Sequence, residues 1–163
     1  MEKSDRQLMI AVIGDSECSE ETGRLAYEAG SLIAQKCAVL VTGGYGGVME
    51  EAARGARDSG GLTIGILSGK DRAGMNSAIQ IPIVTGMSDA RNVIIVRSAD
   101  GVMAVGGGAG TLSEIGFALK LGVPFVGLRI WKLSHADQSK ELSFPVAKTA
   151  PEAVDLLFNL IQS

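Results

Sequence analysis

The chain has little of what metal, disulfide or nucleic-acid chemistry requires. It contains two cysteines, Cys18 and Cys37, and one histidine, His135. Two thiols without CxxC spacing form no disulfide framework, so they read as reduced thiols in a cytoplasmic protein. One histidine with no clustered ligands gives no expectation of a metal site. Lys and Arg total 15 against 18 Asp and Glu, for a formal net charge of -3, and there is no long basic run. Nucleic acid is therefore not expected as a partner, because phosphate-backbone binding draws on a basic patch. No run approaches the roughly 18 consecutive apolar residues of a membrane span. The opening segment, MEKSDRQLMIAVIGDSE, has charges before a short apolar run and no small-residue cleavage signal, so it reads as a first buried strand. Aromatic residues make up only 4%, which leaves small and branched aliphatics to fill a core.

Glycine and alternating periodicity are what the chain has in quantity. Its 163 residues include 22 glycines, and hydrophobic residues reach 46%. That length suits a single domain, residues 1–163, with a substantial core. Short apolar runs at 7–14, 37–44, 62–68, 79–86, 100–107 and 123–130 predict strands. Helical patterns fill 20–36, 47–60, 88–99, 111–122 and 149–163, the last with Thr149 as a candidate N-cap and Pro151 in its first turn. Pro82 marks its strand as an edge or a strand end. Segment 131–147 shows no clear period; Trp131 reads as a hydrophobic anchor, His135 as a surface residue and Lys70-Asp71-Arg72 as a solvated loop. Strands that are apolar throughout are buried on both faces. Alternation with helices then predicts an α/β, doubly wound, Rossmann-like domain with a mainly parallel sheet and helices on both faces.

Two glycine-rich turns join a predicted strand to a predicted helix. One is VTGGYGGVME (41–50), with Gly43, Gly44, Gly46 and Gly47. The other is VGGGAGTLSE (105–114), with Gly106, Gly107, Gly108, Ala109, Gly110 and Thr111. A helix start offers free N–H groups and a positive dipole end, and glycine removes the Cβ atoms that would hold an anion away. A phosphorylated small molecule is the expected ligand. Neither loop is a Walker A sequence, which needs Gly-Lys-Ser/Thr, and neither fits G-x-G-x-x-G. Gly14, Asp15 and Ser16 follow the first strand, where they either meet the ligand or form a polar turn. Thr111 and Glu114 have the spacing of a capping box. That spacing accounts for Glu114 as well as a role one turn from a bound phosphate does. Arg91 is open to a surface ion pair with Asp89 or Glu114.

GGGAGTLSE resembles the P-G-G-x-G-T-x-x-E signature of the lonely-guy (LOG) family of cytokinin-activating phosphoribohydrolases. Many members once carried the label lysine decarboxylase, an activity not expected here. The resemblance extends through VIGDS (12–16), VTGGYGGVMEEAARGA (41–56) and MSDARNVIIVRSADGVMAVGGGAGTLSE (87–114). Short length and the Arg91-Asn92 pair bring it nearer the branch containing molybdenum-cofactor carrier proteins. DNA-processing A proteins share the nucleotide fold more distantly.

The hydrolase resemblance implies cleavage of the base–ribose bond in a nucleoside 5′-monophosphate. Arg91 and Glu114 would be the catalytic residues, Thr111 and the backbone from Gly107 would hold the phosphate, and hydrolysis would need no cofactor. The carrier resemblance implies a phosphorylated pterin such as molybdenum cofactor, bound in the same glycine cradle. Both imply a homo-oligomer, a dimer or tetramer, with sites near the interface. The chain departs from the hydrolases at Asn92, where they have lysine, and at Val105, which replaces the signature proline. It departs again at Gly47-Val48-Met49-Glu50, which puts a carboxylate in the first pocket region. The retained Arg91/Glu114 pair favours the hydrolase, the leading expectation, whereas these departures favour the alternative, the carrier or another binder.

Overall fold

The computed structural model describes residues 6–137 and 141–163. Nine strands and five α-helices occupy those residues: β1 (Met9–Ile13), α1 (Glu20–Gln35), β2 (Val39–Thr42), α2 (Val48–Asp58), β3 (Thr63–Leu67), β4 (Ile81–Val84), α3 (Asn92–Ser98), β5 (Gly101–Val105), α4 (Ala109–Leu121), β6 (Phe125–Leu128), β7 (Leu133–Ser134), β8 (Glu141–Leu142), β9 (Val146–Ala147) and α5 (Ala150–Gln162). A 3-10 turn, Ser88–Arg91, leads directly into α3.

Seven strands form one wholly parallel sheet in the order β4-β3-β2-β1-β5-β6-β9. The chain winds outward from β1 to β4, then crosses back to place β5 on the other side of β1. Residues alternate faces along each strand. Ile10, Val12, Leu40, Met103, Val105 and Leu128 pack with α1, α2 and α5. Ala11, Ile13, Val41, Val102, Ala104 and Phe125 pack with α3 and α4. Helices on both faces explain why β1, β2, β5 and β6 read as continuous apolar runs. The expected α/β, Rossmann-like architecture is the one observed.

Thr149 and Pro82 act as read, and Ser19 supplies a cap that the sequence pattern did not single out. Ser19 caps α1, its side chain accepting from the Thr22 N–H at 3.2 Å, and Thr149 caps α5 by accepting from Glu152 N–H at 3.4 Å. Pro82 lies in β4, which is an edge strand.

Three expectations need correction. The helix expected at 88–99 is a 3-10 turn followed by α3, with Ser88 in left-handed backbone at φ 51°. Trp131 is exposed, at 40%, rather than buried as a core anchor. The unreadable segment supplies a small antiparallel pair, β7 with β8, and also β9, which extends the main sheet beside β6. Two-residue strands carry no period, so only pairing reveals them. The part of that segment at 138–140 lies outside the described residues.

Candidate functional site

The strand order reverses between β1 and β5, and in such sheets ligands bind beyond the carboxyl ends of the strands at that crevice. A cavity of about 220 Å³ opens there. Its walls come from four separate stretches: Ile13 to Ser16 after β1, Gly43 and Met49 from the first glycine loop and α2, Asp89, Arg91 and Asn92 before and within α3, and Gly110, Thr111 and Glu114 on α4.

The second glycine loop explains its own composition. Gly106 and Gly107 both adopt positive φ, 57° and 138°, which side-chain-bearing residues rarely enter. This turn lets α4 begin at Ala109 with Gly108 as N-cap, and no side chain caps it. The helix therefore starts earlier than the pattern at 111–122 suggested. Thr111 lies inside the first turn, so the expected capping box is absent. Its hydroxyl is buried, has no hydrogen-bond partner, and belongs to a residue lining the cavity. An unpaired buried hydroxyl costs about 1–3 kcal/mol. Beside it, the first N–H groups of α4 also lack the side-chain cap that helix starts often carry.

Arg91 does not form the surface ion pair that Asp89 or Glu114 would have offered; among the described residues it has no salt bridge. One Nη donates to the carbonyl of Gly43 at 2.9 Å and also to the carbonyl of Ile66, while Nε is buried without a partner. The guanidinium thus ties the ends of β2 and β3 together and lies 5.8 Å from the centre of the Tyr45 ring. Burial lowers its pKa, partly opposed by the charge of Glu114.

Glu114 is buried, at 7% exposure. Loss of solvent raises its pKa to about 7, with the positive charge of Arg91 pulling the other way. Desolvation wins for both groups, so they do not behave as a tight ion pair. Asn92 donates to Ser113 Oγ at 3.0 Å, and that hydroxyl donates to Gly110 O at 2.7 Å, joining α3 to the first turn of α4.

The structure thus brings Gly14, Asp15, Ser16, Gly43, Arg91, Asn92, Gly110, Thr111 and Glu114 to one cavity. Gly44, Gly46, Gly47, Gly106, Gly107, Gly108 and Ala109 shape the loops behind it and are not among its lining residues. Glu50 is not among them either, so the carboxylate expected in the first pocket region is elsewhere. The start of α2 is partly occupied, because Val48 N–H donates to Asp15 O at 3.0 Å. Ile13, Met49 and Asp89 line the cavity but were not among the expected ligand-binding residues. Only Asp89, two residues before Arg91, carried any signal.

A model of the SLOG cluster4 family matches residues 7–154. The chain belongs to the SLOG cluster4 family. This SLOG cluster4 protein is 52% identical over 122 residues to an uncharacterized protein of Archaeoglobus fulgidus, spanning 75% of this chain and 80% of that one. Among solved structures it is similar to the molybdenum cofactor binding protein from the phototrophic bacterium Rippkaea orientalis. That match has 36% identity, covers 97% of this chain and 99% of the other, and has a TM-score of 0.86. The Moco carrier protein from Chlamydomonas reinhardtii is similar at 34% identity, 96% and 99% coverage and a TM-score of 0.83. The superfamily indicated by the glycine-loop motifs is therefore the correct one, and these neighbours lie in its carrier branch.

Among the described residues of this SLOG cluster4 protein, no group of three or more His, Cys, Asp or Glu is placed to hold a metal ion. None of their helices is long and apolar enough to cross a membrane.

Proposed function

We propose that this protein is a carrier of a phosphorylated, nucleotide-like pterin of the molybdenum-cofactor type, bound through its phosphate at the start of α4. The observation that carries this reading is the Thr111 hydroxyl, buried and unpartnered beside the uncapped first turn of a 13-residue helix. A phosphate oxygen would satisfy the hydroxyl and the exposed N–H groups together. The cavity, at about 220 Å³, is below the roughly 300 Å³ of a typical small-molecule pocket, so it suits the phosphate end of a ligand whose remainder extends outward. The likeness to two carrier or binding proteins over nearly the whole chain supports the pterin as cargo.

A second reading, nucleoside 5′-monophosphate phosphoribohydrolase, is favoured by one observation: Arg91 and Glu114 share the cavity. Its chemistry would need an ionised carboxylate to stabilise an oxocarbenium-like sugar. Arg91 is engaged with two backbone carbonyls and Glu114 sits near neutrality, which makes the carrier the better fit.

The protein is read as a single-domain, cytoplasmic homo-oligomer, dimer or tetramer, with no nucleic-acid partner. Ile81, Ile83 and Met87 are exposed on or just after the edge strand β4 and supply an apolar surface for a second copy.

The test is to purify the protein from cells that make the cofactor, then measure bound molybdenum and oxidised pterin. The expected result is near-stoichiometric pterin in the parent and strong depletion in Thr111→Val. A folded parent free of pterin would remove the carrier reading. Chromatography after incubation with adenosine, guanosine and cytidine 5′-monophosphates tests the alternative. Free base from the parent but not from Glu114→Gln would establish it.

A further inference from the structure

We propose that Glu114 meets its ligand as a neutral carboxylic acid, donating its O–H to an acceptor oxygen of the bound anion, so that each ligand is taken up together with one proton. The inference deepens the phosphate-binding reading and rests on it.

Geometry points this way. Glu114 follows Thr111 by one turn on the same face of α4, and both line the cavity. Its carboxyl has no hydrogen-bond or salt-bridge partner among the described residues, so its O–H is free to point at a ligand. The neighbours that share the cavity set the sign. The loop after β1 contributes the Asp15 carboxylate and the Ser16 hydroxyl. The turn before α3 contributes Asp89 and Arg91, and α3 contributes the Asn92 amide. The one cation, Arg91, already donates to Gly43 and Ile66. An anion entering beside two carboxylates would be repelled by a third. A protonated Glu114 instead offers a charge-assisted hydrogen bond of the short, strong kind. This preference selects an acceptor group, a phosphoryl or sulfuryl oxygen, over an amine.

The ionisation of Glu114 lies in the range where this matters. Burial holds its pKa at about 7 against the pull of Arg91, so the acid form predominates at pH 6 and the carboxylate at pH 8. If only the acid form accepts the anion, the binding constant falls about tenfold between those pH values. Arg91 stays charged throughout.

Inorganic sulfate is the probe, because its charge does not change over this range. Its binding is followed by amide NMR shifts of Gly110 and Thr111 at pH 6 and pH 8. The expected result is about tenfold weaker binding at pH 8 in the parent, and equal binding at both pH values in Glu114→Gln, whose amide remains a neutral donor. Proton uptake on sulfate binding to the parent, measured at pH 7.5 in two buffers of different ionisation enthalpy, gives the same answer without the variant. Equal parental affinity at the two pH values, or no proton uptake, overturns the proposal and leaves the phosphate-site reading standing. An undiminished pH dependence in Glu114→Gln also overturns it. Absence of sulfate binding at both pH values overturns this proposal and the phosphate site together.

Discussion

Arg91 lies against Gly43 so closely that a methyl group on Gly43 would sit 2.5 Å from Nη1 and 2.6 Å from Met49 Sδ. The same guanidinium holds the carbonyls at the ends of β2 and β3. The bare backbone at Gly43 thus makes room for a cation on the cavity wall, in addition to any room it makes for ligand.

Gly43→Ala should displace Arg91 from those carbonyls. Overpacking of this kind costs about 1–3 kcal/mol, and ligand affinity should drop as the wall moves. Thermal unfolding and a phosphate titration check both effects. Unchanged stability would mean that Arg91 finds another position at no cost.

Thr111→Val should stabilise the free protein and weaken binding. It removes a buried hydroxyl that has no partner and keeps the shape of the side chain. Relief of an unmet hydrogen bond is worth about 1 kcal/mol or more in the empty protein. A rise in the unfolding midpoint together with lower affinity is the signature of a hydroxyl kept for its ligand. A fall in the midpoint would contradict it.

Glu114→Gln should raise stability above pH 7 and leave it nearly unchanged at pH 4. The carboxyl titrates near 7 in the folded chain against 4.5 ordinarily, so between those values the folded state binds more protons than the unfolded one. Parental stability therefore falls as pH rises from about 4.5 to about 7, then levels off. The amide has no such loss, and the gap between the two proteins should grow to about 3 kcal/mol by pH 8. Denaturant midpoints across this range measure it. A constant gap would place the carboxyl in a wetter setting.

Tyr45→Phe should loosen the loop after β3 without disturbing the sheet. The Tyr45 hydroxyl accepts from the Gly69 N–H at 3.1 Å and from Ser68 Oγ at 3.4 Å. Asn76 also donates to the Tyr45 carbonyl at 2.7 Å, a contact the variant retains. The lost hydrogen bonds amount to about 1 kcal/mol. Amide exchange should quicken at Gly69 and its neighbours while β1 and β5 stay protected.

If the proposed assembly forms through β4, the parent should scatter light as an oligomer and Ile83→Lys as a monomer. Ile83 is 44% exposed on the edge strand, so the charge meets solvent in the isolated chain and an apolar partner in an assembly. An oligomer that survives the change would have its interface elsewhere.

Much of the architecture was legible in the sequence because local pattern determines local structure. Runs such as LMIAVIG and GVMAVGG are apolar at every position, which strands covered on both faces tolerate. Thr149 and Pro82 acted through their own local chemistry, one accepting an N–H on its side-chain hydroxyl and the other lying in an edge strand. The glycines of VGGGAGTLSE announced a turn with unusual backbone, and the motif led to the right superfamily. Tertiary structure decided what each of those residues does. Thr111 and Glu114 had capping-box spacing, yet positive φ at Gly106 and Gly107 started the helix earlier and left the hydroxyl without a partner. Arg91 could have paired with Asp89 or Glu114, but the ends of β2 and β3 offered it carbonyls from positions 48 and 25 residues away along the chain. The ionisation of Glu114 depends on how much water its neighbours exclude. No local pattern contains that quantity, because the neighbours come from four stretches that meet only where the strand order reverses.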